Sequence, residues 1–113
     1  MAKSNLGHWT TTRYIPSGYN VIRKYKIFKE NQPETRLLYE CNVIQNHNFV
    51  SKYMNCENQN HLGPLGYVYT NQQANTIPLV RCFVSTSGDH FITTTSNCDG
   101  FIFEEILGYA LLA

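Results

Sequence analysis

Apolar residues fall in short runs that turn-forming residues keep apart. In the second half of the chain the runs are Asn48–Tyr53 (NFVSKY), the stretch around His61–Leu65 (HLGPL), Gly66–Thr70 (GYVYT) and Pro78–Val84 (PLVRCFV). Each has the length of a strand. The punctuation is Ser17-Gly18, Gly63-Pro64, Ser87-Gly88-Asp89 and Asp99-Gly100, pairs that suit tight turns. No segment sustains a long helical period. The 8 Tyr and 6 Phe, together with many Thr and Val, fit a pleated, half-buried surface. The pattern predicts an all-β fold.

The runs also repeat. Leu38 and Cys41 recur as Leu79 and Cys82, 41 residues on. Phe49, Asn55, Cys56, Leu65 and Gly66 recur as Phe91, Asn97, Cys98, Leu107 and Gly108, 42 residues on. A weaker copy opens the chain, where GHWTTT (Gly7–Thr12) matches DHFITTT (Asp89–Thr95). SGYNVIRKYKIF (Ser17–Phe28) likewise matches DGFIFEEILGYAL (Asp99–Leu111). This divides one domain, residues 1–113, into units at about 7–45, 46–87 and 88–113. With about four strands per unit, the expected architecture is β-trefoil-like. Another compact pseudo-threefold β barrel is the alternative. The third unit stops before its last strand, which leaves an open strand edge.

Cys41 and Cys82 are equivalent in the repeat, as are Cys56 and Cys98. Three connectivities are possible. Symmetry selects Cys41–Cys56 and Cys82–Cys98, one short bridge used twice. Paired cysteines in a small domain imply an oxidising, secreted or extracellular setting. No Cys-x-x-Cys ligand pair suggests structural zinc.

Charge adds mainly exclusions. Lys and Arg number 9 against 8 Asp and Glu, so no overall field attracts nucleic acid. The basic cluster Arg23, Lys24, Lys26, Lys29 reads as a solvated face. No apolar run approaches the roughly 20 residues of a membrane span, so membrane insertion is not expected. Met1–Asn20 lacks the apolar centre of a secretory leader.

Catalysis finds little support. Asp89 and His90 are adjacent, so a strand would point them to opposite faces. Glu104 and Glu105 are neighbours of the same kind, and a glycosidase needs two facing carboxylates. His8, His47 and His61 follow no metal or triad spacing. The expectation is a protein without enzymatic activity, metal or organic cofactor.

Binding is better supported. His8-Trp9, Asn48-Phe49 and His90-Phe91 fall at equivalent places, each a hydrogen-bonding side chain beside an aromatic ring. Sugars suit such pairs, because polar groups grip hydroxyls while ring faces cover C–H patches. The candidate ligand-binding residues are Asp89, His90, His8, Trp9, His47 and Asn48. Phe49 and Phe91 are assigned to the core. Tyr67 and Tyr109 are read as structural, and the amide-rich loop Asn71–Asn75 as a second polar surface.

The segments GDHFITTT (Gly88–Thr95), GFIFEEILGYALL (Gly100–Leu112) and TNQQANTIPLVRCFV (Thr70–Val84) resemble a repeat family of uncharacterised extracellular domains. Its units carry a GDHFYTT-like strand, a GYVYEGIAGYVY-like hairpin and a PLYRLYN-like strand. The likeness is weak over the first 40 residues. This chain shortens the stretch between TTT and GF to SNCD and adds the cysteines. The resemblance implies an extracellular, lectin-like module that binds carbohydrates or surfaces. The expected function is therefore that of a lectin for cell-surface or free glycans. A protein-interaction or matrix module that assembles through the open strand edge, as a homo-oligomer or with a partner, is the alternative.

Overall fold

The computed structural model describes residues 1–4, 7–13, 15–43 and 47–112. The expected unit boundary at Gln45/Asn46 and the final Ala113 lie outside the described residues. Among the described residues nine strands run in the order β1 (Ala2–Ser4), β2 (Gly7–Trp9), β3 (Asn20–Val21), β4 (Thr35–Asn42), β5 (Asn48–Ser51), β6 (Asn60–Tyr69), β7 (Thr76–Val84), β8 (Asp89–Thr93) and β9 (Ile102–Leu111). They form two antiparallel sheets, ordered β2-β1-β3 and β5-β4-β6-β9-β7-β8. The all-β expectation therefore holds among the described residues. HLGPL and GYVYT, expected as separate strands, are one strand, β6. Gly63-Pro64 is absorbed in it at a register shift rather than a turn.

The larger sheet contains one arrangement twice. β4 lies between β5 and β6, and β7 lies between β8 and β9. Register shifts interrupt β4/β6 after Leu38 and after Glu40, and β7/β9 after Leu79 and after Arg81, at equivalent residues. Gly66 and Gly108 sit at the first of these shifts with φ of 153° and 155°. A Cβ on Gly108 would come within 2.3 Å of Val68, and one on Gly66 within 2.5 Å of Ile27. Only glycine lets the backbones approach this closely.

Each arrangement carries the same stapled turn. Cys56–Asn58 and Cys98–Gly100 are single 3-10 turns, capped by Asn55 accepting from the Glu57 N–H and by Asn97 accepting from the Asp99 N–H. The disulfides are Cys41–Cys56 and Cys82–Cys98, each with a Cα separation of 5.7 Å. Symmetry had selected this pairing. Each bridge ties a central strand to the turn that follows its edge strand.

The opening segment forms the smaller sheet. Ala2 pairs with Trp9 and with Val21. Cys41 pairs in the same way with Phe49 and His61, and Cys82 with Phe91 and Phe103. Ala2 thus takes the place of the two cysteines, fully buried. Three contacts close a ring: Tyr69 with Tyr109, Leu111 with Lys26, and Phe28 with Tyr67.

The main core fills the space enclosed by this ring, with Leu38, Leu79, Val50, Ile92, Leu65 and Leu107 contributed in equivalent pairs. Phe49 and Phe91 are buried, as their place in the repeat implied. One expectation fails. Glu104 and Glu105 do not diverge, because the register shift after Arg81 turns both toward that residue, at 2.8 and 3.9 Å.

Candidate functional site

Strand β2 lies across β5 and β8, and side chains from both strands hold it. Asp89 of β8 accepts from the His8 N–H at 2.9 Å and from His8 Nδ1 at 2.6 Å. Asn48 of β5 accepts from the Thr10 N–H at 2.8 Å, and its amide donates to Glu40 at 3.5 Å. A Cβ on Gly7 would stand 2.6 Å from Asp89 Oδ1, so the close approach needs glycine there. Burial alone would push the Asp89 carboxyl up. The hydrogen bonds from the His8 side chain and backbone outweigh it and hold the carboxyl below the usual Asp range.

The other candidates are also engaged. His90 lies between Phe83 and Phe49, with ring centroids 5.0 and 5.4 Å away, and its Nε2 is 3.2 Å from Glu104. Its Nδ1 is buried with no hydrogen-bond partner among the described residues. His47 Nδ1 lies 3.2 Å from the Gly88 carbonyl. Trp9 is half-buried and meets Tyr19 edge-on at 5.7 Å. The fold joins Asp89 to His8 directly and places Asn48, His47 and His90 along the same seam. Asp89 and Asn48 have both side-chain polar atoms engaged within the protein, and His8, His47 and His90 one ring nitrogen each.

Of the six candidates, His8 and Asp89 reach an open cleft of about 400 Å³. Lys3, Arg23, Asp99 and Phe101 also line it. The Phe101 ring is 51% exposed, enough to offer a face to a ligand. Neither Lys3 nor Arg23 has a carboxylate within ion-pair distance among the described residues. Sequence reasoning missed Lys3 and Phe101 and assigned Arg23 to a solvated face. Only the β1/β2 and β1/β3 pairings bring Lys3 and Arg23 beside β8, and no local pattern announces them.

Behind His90 lies a second polar centre. Arg81, 6% exposed, donates to the Val50 carbonyl at 2.8 Å, to both Glu57 oxygens at 2.8 and 3.1 Å, and to Glu104 at 2.8 Å. Its guanidinium also lies 5.5 Å from the Phe49 ring centre. The bonds from Arg81 hold the Glu57 carboxyl below the usual Glu range, against burial. At the equivalent position Glu40 accepts from Thr11 at 2.7 Å and from Arg13 at 2.8 Å. Met1, at the third such position by register, accepts the Ile92 N–H on its sulfur at 3.1 Å. Each of these residues reaches out of its own group of strands into the next.

Among the described residues no group of three or more His, Cys, Asp or Glu is arranged to hold a metal ion. No helix among them is long and apolar enough to cross a membrane. No protein-family model matches the chain, and neither a curated protein nor a solved structure matches it.

Proposed function

We propose that this is an extracellular glycan-binding protein of three units on a β-trefoil-like plan, acting without catalysis. The three groups β2-β1-β3, β5-β4-β6 and β8-β7-β9, with one register in common, support the three-unit reading. The two disulfides support the extracellular setting.

One observation carries the binding reading. The exposed Phe101 lines the cleft together with Lys3, Arg23, Asp99 and the His8–Asp89 pair. Charged donors and acceptors can hold sugar hydroxyls while the ring covers a C–H face. The site is thus shifted from His90 and Asn48 toward Arg23 and Phe101. Asp89 and His8 line it but are bonded to each other.

A glycan array probed with the oxidised protein tests this. Selective binding to one class of terminal sugar is expected, lost in Phe101→Ala and Arg23→Ala with the thermal midpoint unchanged. A blank array with folded protein overturns the reading.

A further inference from the structure

The first group of strands is shorter than the other two, in a way that defines a site. β4 pairs with β6 from Thr35↔Tyr69 to Asn42↔Asn60, and β7 with β9 from Thr76↔Leu111 to Phe83↔Ile102. β1 pairs with β3 only at Ala2↔Val21 and Lys3↔Asn20. Ala2 is in register with Cys41 and Cys82, and among the described residues no strand is paired to Lys24–Phe28 as β4 is to β6 and β7 to β9, although Thr10–Thr12 and Ile15 lie near it.

That segment keeps one edge open. Phe28 exchanges backbone hydrogen bonds with Tyr67 at 2.9 and 2.8 Å, and the Lys26 carbonyl accepts from Leu111 at 2.9 Å, all on one side. In an extended chain the intervening residues face the other way. Tyr25 and Ile27 make no backbone hydrogen bond among the described residues. A cavity of about 490 Å³ opens beside this edge, with Tyr25 and Ile27 at its rim. Its walls include Leu38 and Leu79, the side chains that fill the same position in the other two groups.

We propose that the open edge of Lys24–Phe28 accepts an extended peptide from a partner chain, added as an antiparallel strand with a leucine inserted into the cavity. The two filled positions specify the occupant: Thr35–Tyr39 (TRLLY) and Thr76–Val80 (TIPLV) share threonine first and a buried leucine fourth. The added strand bonds to Ile27 and Tyr25, and its leucine packs against Leu38, Leu79 and Leu107. The proposal does not depend on glycan binding, because Phe101, Arg23 and Asp99 line the cleft and not the cavity, with Met1 and Ile92 common to both.

The probe is the capped synthetic peptide TNQQANTIPLV, titrated into the full chain and followed by backbone amide NMR and thermal melting. Saturable binding, shifts at Tyr25–Phe28, slower exchange of the Ile27 amide and a higher thermal midpoint are expected. The same peptide with its leucine changed to aspartate should bind at least about tenfold more weakly, because the buried leucine is lost. Equal binding of the two peptides, no binding at millimolar concentration, or shifts confined to the Phe101 cleft would overturn the proposal. So would concentration-dependent dimerisation that the peptide fails to displace, since the edge would then serve a second copy. Preferential filling of the cavity by a fatty acid such as laurate would also overturn it.

Discussion

Asp89 holds His8 by two bonds, one to the ring at 2.6 Å and one to the backbone N–H at 2.9 Å. The residues are 81 positions apart, and the contact fastens the first strands of the chain to the last group. A carboxylate read from sequence as a ligand group is, in the fold, first a clasp.

Its loss should therefore show in stability and in its pH dependence. Asp89→Asn should lower stability at neutral pH by about 1–3 kcal/mol, the cost of weakening charge-assisted bonds in a buried place. The folded pKa of Asp89 is depressed, so its contribution is present above the ordinary carboxylate range and lost as pH falls through the lowered folded value. Urea unfolding at a series of pH values should show the gap between variant and parent closing below about pH 4.

Arg81 should be the most costly charged residue to remove. Truncation leaves Glu57 and Glu104 without their cation and the Val50 carbonyl without its donor. Because Glu57 and Glu104 are partly exposed, the cost falls below that of breaking a fully buried pair, at about 2–4 kcal/mol. Arg81→Ala should fall in that range in urea unfolding. Arg81→Lys should recover little, because an ammonium does not reproduce the fork that spans two carboxylates and a carbonyl.

The two disulfides should contribute equally. They close loops of 15 and 16 residues, and the chain-entropy relation gives about 3 kcal/mol for each. Replacing either pair by serine should shift the urea midpoint to a similar extent, and peptide mapping of the oxidised parent should recover both bridges. Much smaller losses for one pair would mean that its half of the sheet holds without the staple.

Glycan binding should survive chelation. Prolonged dialysis against EDTA should leave array signals unchanged. Loss restored by calcium would place a bridging cation in the site and replace the metal-free form of the reading.

The parts of the fold legible in the sequence were those repeated in identical residues. The cysteines, Phe49 with Phe91, and Gly66 with Gly108 kept their spacing, so disulfide pairing and core could be read from the offset. Met1–Ser4 kept none of these markers. Alanine stands where the other copies have cysteine, so a strand that completes its group looked like an unremarkable chain start. Glu104 and Glu105 were misplaced because simple alternation fails at a register shift, which only the paired strands define. The candidate binding residues were chosen by chemistry, and the chemistry was right for hydrogen bonding. Their partners lay far along the chain, as His8 does from Asp89 and Asn48 from Thr10, beyond any local pattern.

Glu40, Arg81 and Met1 share one position in the three groups yet reach across to different neighbours. The joints are therefore keyed. An arginine placed at the first joint would face Arg13, and a glutamate at the second would face Glu57 and Glu104. Equivalent segments of neighbouring molecules could otherwise trade places during folding. Opposite charges at matching addresses make each segment fit only its own joint, so resemblance between the copies need not bring exchange between chains.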